Sequence, residues 1–254
     1  MEVLVVGNTA YVDDDFCAKA FPGDHVQVVA AAEARRDESS PHASWKELLQ
    51  HLDQAYEFER VVYLSNYLTP HTDIVGDIEL LRSVFRACAG RRVQLLYVAG
   101  PAGAEGAADA AGRTGKGIIA HAANDLCRFY AAREGVQTKI LRVPFLYTAS
   151  AALEDPFLVP LFDACSTGSV ALQGAQDAAF PLLCAEELAV LVRRIFDSWD
   201  GNFETLDVAD TFHHTAGEVG EALKALFPPR RGREPTPHGT RYSRPWPPAK
   251  PPTA

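Results

Sequence analysis

At 254 residues the chain is long enough for one large α/β domain with a sizeable core, or for two small ones. Hydrophobic residues make up 47% and charged residues 22%, and the net charge of −9 argues against the basic face that a nucleic-acid binder needs. No apolar run approaches the roughly 20 residues that span a bilayer, so neither nucleic acid nor a membrane is an expected partner.

The first residues run directly into an apolar stretch, with no basic segment or small-residue cleavage site ahead of it. Five cysteines (Cys17, Cys88, Cys127, Cys165, Cys184) are scattered and odd in number, which reads as reduced thiols in a cytoplasmic protein. His213 and His214 lack a nearby pair of Cys or His ligands, so no metal site is expected.

Val3 to Val6 is a short apolar run followed by Gly7, a polar turn, a helix-like segment and a second apolar run, Val26 to Val29. This is the pattern of a first βαβ unit, whose strand-to-helix turn aims backbone N–H groups at a pyrophosphate. Gly7, Thr9, Ala10, Tyr11 and Val12 make up the turn that would hold such a group. Residues 30–42 are polar and carry Arg35 and Arg36 shortly after the second strand. Ser44 to Tyr56 has the apolar spacing of an amphipathic helix, with Ser44 as N-cap. Arg60 to Ser65 is nearly continuous in apolar residues, which suits a parallel strand covered on both faces.

Asp73 to Ala89 predicts a helix that stops at Gly90, and Val93 to Val98 a strand. A Gly- and Ala-rich segment, 99–117, precedes a helix at Ile118–Arg133 and a strand at Thr138–Leu141 that runs into Arg142-Val-Pro-Phe-Leu-Tyr147. Strands alternating with helices to this point require right-handed crossovers and a parallel sheet. A smaller α+β region follows, with a helix at 156–164, a strand at 169–172, a helix at Glu186–Trp199, a strand at Phe203–Val208 and a helix at Thr215–Phe227. Beyond Phe227 lie nine of the 17 prolines, so 228–254 reads as a disordered or surface-draped tail. The other reading of that tail is a partner-binding polyproline segment, or a strap that packs Tyr242 and Trp246 onto the domain.

The order of these segments resembles the extended short-chain dehydrogenase/reductases, the NAD-dependent epimerase/dehydratase group. Asp73-Ile-Val-Gly-Asp-Ile-Glu-Leu-Leu81 is similar to that family's N-V-x-G-T-x-N-L-L helix, and Arg142-Val-Pro-Phe-Leu-Tyr147 to its R-P-x-x-V-Y turn. Leu126 to Val136 followed by Ile140-Leu-Arg142 resembles the helix and strand after its catalytic Tyr and Lys. Phe180 to Leu188 sits where it has V-D-D-L, and Gly201 to Asp207 where it has G-x-x-Y-N-V. The resemblance implies a Rossmann-type doubly wound parallel sheet at 1–150, a small substrate-binding region at 151–227 in the same globular unit, and the tail. It also implies NAD or NADP as cofactor, and dimerisation through Asp73–Ala89 and Ile118–Arg133, so a homodimer is left open.

The chain departs from the family where the chemistry should be. The glycine pattern G-x-x-G-x-x-G becomes Gly7, Ala10, Asp13, with Asp14 and Asp15 behind it. A carboxylate there caps the helix itself and repels phosphate. Arg35 and Arg36 point the other way, since NADP-preferring members carry cations there for the 2′-phosphate; NADP(H) and no cofactor both stay open. The family's Tyr-x-x-x-Lys, expected near 116–121, reads Lys116-x-x-x-Ala120 or Gly117-x-x-x-His121, without the tyrosine that transfers the proton.

His121 is therefore the candidate acid/base group and Lys116 a further catalytic candidate, with Asn66 and Tyr147 as polar groups for a substrate hydroxyl or carbonyl and Ser65 beside the cofactor. His121 on its helix, Lys116 in the Gly-rich segment and Tyr147 in a crevice wall each also have a purely structural reading. Two functions follow. One is an atypical enzyme of this superfamily acting on a hydrophobic small molecule of the polyketide-like, specialised-metabolite kind, by Tyr-independent NADPH ketoreduction or by a cofactor-free cyclisation, dehydration or isomerisation. The other is a non-catalytic ligand-sensing or scaffold protein.

Overall fold

Val3, Val5 and Val6 are fully buried and Leu4 is nearly so, which a strand reaches when elements cover both of its faces. The same holds for Val61 to Leu64 and for Leu95 to Val98, so the three apolar runs read as central strands form the middle of one sheet. A computed structural model describes residues 1–7, 11–30, 58–65, 74–100, 115–147, 182–208, 215 and 218. The expected helices at 44–56 and 156–164, the strand at 169–172 and the tail at 228–254 lie outside those residues.

In chain order the elements are β1 (Glu2–Gly7), α1 (Asp14–Ala20), β2 (His25–Ala30), β3 (Arg60–Leu64), α2 (Ile74–Cys88), β4 (Gln94–Ala99) and α3 (Gly115–Arg133). They continue with β5 (Gln137–Arg142), β6 (Phe145–Tyr147), β7 (Leu182–Cys184), α4 (Ala185–Asp197) and β8 (Phe203–Asp207). Among the described residues six strands form a parallel sheet in the order β2-β1-β3-β4-β5-β8. This is the α/β, doubly wound Rossmann-type architecture.

Alternation along the strands divides the core in two. Leu4, Val6, Val61, Tyr63, Leu95, Tyr97 and Ile140 face α2 and α3, where Phe85 stacks on Tyr130 with ring centroids 4.7 Å apart. Val3, Val5, Val62, Leu64, Leu96, Val98 and Leu141 face α1 and α4, where Phe21 and Phe196 meet at 6.0 Å. Each fully buried Val or Leu contributes about 1.5–3 kcal/mol, so these two layers hold the sheet.

The structure differs from the sequence reading in three places. β8, expected in the small C-terminal region, joins the main sheet beside β5, and α4 covers the sheet's face next to α1. The span 182–208 thus belongs to the same layered unit as the N-terminal strands. The helix α3 begins at Gly115, so Lys116 lies in its first turn, not in the flexible Gly-rich segment read through Gly117. A two-stranded parallel sheet, β6 with β7, was not read at all, because runs of three residues carry no usable period.

No disulfide joins the described cysteines Cys17, Cys88, Cys127 and Cys184. Among the described residues no helix is long and apolar enough to cross a membrane.

Candidate functional site

β1 has β2 on one side and β3 on the other, so the chain reverses its direction of travel across the sheet at β1. In open α/β sheets ligands bind beyond the carboxyl ends of the strands at this switch point. Here those ends are Gly7, Leu64 with Ser65, Ala99 with Gly100, and Arg142 with Val143. Backbone bonds continue past the strands and fix the rim: Ser65 N–H donates to the Val98 carbonyl (3.1 Å) and Val143 N–H to the Ala99 carbonyl (2.9 Å).

Gly7 has φ +110°, and a Cβ built on it would stand 2.1 Å from the Leu64 carbonyl oxygen. The close approach of β1 to β3 therefore demands glycine on steric grounds alone. Tyr11 is buried and packs with Val3, Val5 and Phe16 into the core layer under α1 and α4, and Val12 is half-buried against the same layer. Thr9 and Ala10 lie outside the described residues, as do Arg35, Arg36 and Asn66.

At the next position Asp13 is the N-cap of α1, and its Oδ1 accepts the Phe16 N–H at 2.8 Å. The capping role read from the acidic turn is thus present. Asp14 and Asp15 occupy the first turn and are exposed. Lys19, the basic residue of this seven-residue helix, donates to Glu186 Oε2 on α4 at 2.9 Å and to Asp15 at 3.5 Å. Those bonds hold its ammonium above the ordinary lysine range, the Glu186 bond first. Burial and the carboxylates of Asp14 and Asp13 likewise raise the thiol pKa of Cys17. These residues do not fit a pyrophosphate at the start of α1: the cap is self-supplied and the surrounding charge is negative.

Ser65, at the carboxyl end of β3, is buried, and its hydroxyl donates to Asp77 Oδ2 over a long 3.5 Å. Asp77 is itself buried in the first turn of α2. The Tyr63 hydroxyl donates to Asp77 Oδ1 at 2.7 Å, with the Asp77 carbonyl at 3.0 Å. Burial, then the Asp77 carboxylate, pushes the Tyr63 phenol well above the ordinary tyrosine range, so it stays protonated as the donor. The ring of Tyr63 stacks on Tyr97 at 5.6 Å. This Tyr63–Asp77–Ser65 network lies under the crevice rim at β3. The sequence reading missed it, although a tyrosine inside a Val-Val-Tyr-Leu strand is a signal, since a buried phenol needs a polar partner.

His121 is half-buried on α3, and Lys116 lies nearly a turn and a half earlier on the same helix with its side chain outside the described set. Asn124, one turn beyond His121, has a buried Oδ1 without a hydrogen-bond partner among the described residues. The sequence reading passed over it. Tyr147 closes β6, and its side chain lies outside the described set. Arg142, on the rim at the end of β5, meets Asp207 of β8 at 3.7 Å. Asp210, His213 and His214 lie outside the described residues. Thr215 and Glu218 form a capping box, each side chain accepting the other's backbone N–H (3.1 and 2.9 Å).

The fold is similar to that of solved structures that include UDP-sugar 4-epimerases. WbmF of Bordetella bronchiseptica, solved in complex with NAD+ and UDP, superimposes with a TM-score of 0.67 at 15% identity, over 96% of this chain and 83% of that one. UDP-glucuronic acid 4-epimerase of Bacillus cereus, solved with NAD, gives 0.66 at 11% identity over 89% of this chain and 84% of its own. The capsular polysaccharide assembling protein CapF of Staphylococcus aureus gives 0.60 at 15% identity, and this chain spans 58% of its length. No family model matches the sequence. No curated protein matches it either. The likeness therefore defines the fold class, and the chain's own residues must supply the chemistry.

Proposed function

We propose that the chain is an enzyme of the short-chain dehydrogenase/reductase type that acts on a small hydrophobic molecule in the crevice beyond β1, β3, β4 and β5. The observation that carries this reading is the switch point at β1, shared in fold with enzymes of UDP-sugars and rimmed by Gly7, Ser65, Ala99 and Val143. The structural neighbours include proteins solved with NAD+ or NADH. A nicotinamide reduction and a non-redox step such as dehydration or isomerisation are the two chemistries this fold offers.

In either, His121 on α3 is the candidate to take up and release a proton in place of the missing tyrosine. Asn66, Tyr147 and Lys116 are the remaining candidates for orienting a carbonyl or hydroxyl. A homodimer through α2 and α3 is part of the same proposal; Phe129 on α3 is 52% exposed and would be covered there.

The test is a thermal-shift screen of hydrophobic hydroxy- and keto-compounds, followed by turnover assays of the hits. His121→Ala is expected to cost about 10²–10⁴-fold in kcat. Unchanged turnover in that variant removes His121 from the mechanism. Binding without turnover of any hit favours a sensing role.

A further inference from the structure

We infer that the turn after β1 has been converted from a phosphate cradle into a self-capped acidic helix start, and that the crevice therefore works without a nicotinamide dinucleotide. This deepens the reading above by choosing its non-redox form, and it rests on that reading for placing the ligand at the switch point.

The first observation concerns donors. A helix start binds phosphate through N–H groups that have no partner within the helix. In α1 the Phe16 N–H is taken by the Asp13 side chain at 2.8 Å, and the Cys17 N–H by the Asp13 carbonyl at 3.0 Å. The two N–H groups ahead of them belong to Asp14 and Asp15, whose exposed carboxylates stand beside any anion approaching those donors.

The second observation concerns charge. Asp13, Asp14 and Asp15 place three carboxylates at the helix start, and the one cation of α1, Lys19, is bound to Asp15 and Glu186. A dinucleotide would bring two further negative charges to this spot. The helix is seven residues long, so its dipole offers little to offset them.

The third observation separates the glycines by what each is for. In turns of this type the first glycine serves the tight turn, the second lets backbone approach the pyrophosphate, and the third packs helix on strand. Gly7 remains, and the 2.1 Å approach to the Leu64 carbonyl explains it without a cofactor. The second position is Ala10, and the third is Asp13, which is exposed and spends its side chain on the cap. What survives is the glycine that the approach of β1 to β3 needs, and what is gone is the glycine that admits the pyrophosphate together with the one that packs helix on strand.

The experiment is a titration of the full-length protein, stripped of co-purified nucleotide, with NADH and with NADPH, read by calorimetry and by nicotinamide fluorescence. Asp13→Gly/Asp14→Ser/Asp15→Ser is titrated in parallel; glycine is well tolerated at an N-cap, so the helix should persist, as circular dichroism will show. The wild type is expected to show no saturation up to about 1 mM, and the triple variant to bind about 10–100-fold more tightly, since each charge at a helix end changes affinity several-fold.

Micromolar binding by the wild type overturns the inference whatever the variant does. A folded triple variant that binds no better than wild type overturns it too, because the acidic turn is then not what excludes the cofactor. Should the triple variant not fold, Asp14→Ser/Asp15→Ser, which keeps the Asp13 cap, carries the same two outcomes. The inference and the enzyme reading fail separately: NADH binding leaves a redox enzyme standing, whereas turnover of no compound leaves a dinucleotide-free crevice without a reaction.

Discussion

Replacing Gly7 by Ala tests whether the surviving glycine serves the sheet. The new methyl would begin 2.1 Å from the Leu64 carbonyl oxygen, 3.0 Å from its carbon and 3.2 Å from the Leu64 nitrogen, all of them backbone atoms that cannot rotate aside. Ordinary contact is about 3.5 Å, so β1 and β3 must part by roughly 1.4 Å at the point where they are paired. Overpacking of this kind costs about 1–3 kcal/mol, and holding alanine at φ +110° costs about 1–3 kcal/mol more.

The expected loss of about 2–6 kcal/mol is a large part of the roughly 5–15 kcal/mol that stabilises a domain. For a chain of this length it lowers Tm by about 5–20 °C. Gly23→Ala is the control: φ is +82° there, but no atom lies within 4 Å of its added Cβ, so it carries the backbone strain without the clash. Urea and thermal unfolding of both variants, with no nucleotide present, measure the difference. If Gly7→Ala melts within about 2 °C of Gly23→Ala, the clash is relieved cheaply and Gly7 needs another explanation.

Tyr63→Phe removes a buried donor from the Asp77 carboxylate and is expected to cost about 1.5–3 kcal/mol, seen as a fall in Tm of about 4–10 °C. A fall of a degree or less would show that the Tyr63–Asp77 bond contributes nothing net. Lys139 is buried on β5, over the Trp199 ring, and bonds Glu204 at 2.6 Å and Asp200 at 3.0 Å. Burial pulls its pKa down, but those two bonds outweigh it and hold the ammonium above the ordinary lysine range, while Lys139 holds Asp200 below the usual carboxylate range. A raised lysine stabilises fully below its unfolded value, about 10.4, and loses that contribution as pH rises through the folded one. The lowered Asp200 stabilises above its unfolded value and loses that as pH falls through the folded one. Lys139→Met should therefore lose that contribution at neutral pH, a small loss because both carboxylates reach solvent, and flatten the decline above about pH 10.4. Denaturant titrations at neutral and alkaline pH check this, and equal alkaline slopes in the two proteins refute it.

The sheet was legible because parallel strands buried on both faces write continuous apolar runs, as at Val3–Val6 and Leu95–Val98. The cap on α1 was legible because Asp13 in that position has a local, sequence-near job, the Phe16 N–H three residues on. Pairings between distant segments left no such trace. Nothing local says that Lys139 will meet Asp200 and Glu204, or that Tyr63 will find Asp77 across the start of α2. β8 is legible as a strand but not as the neighbour of β5, since a five-residue run does not carry the identity of its partner, and in the sequence reading it belongs to the C-terminal region. Of the candidate site, Gly7, Tyr11, Val12, Ser65 and His121 have described surroundings, and each is packed or half-buried as well as near the crevice or on α3.

That double character bears on what the fold can do. Tyr11 fills the layer between α1 and the sheet, Gly7 permits β1 to approach β3, and Ser65 leans on Asp77, so the carboxyl ends of the strands are held by the protein's own contacts. Here the helix start supplies its own anion in Asp13, and Lys19 ties α1 to α4 through Glu186. The start of α1 thus carries its own anion, and on that observation the proposed dinucleotide-free crevice rests.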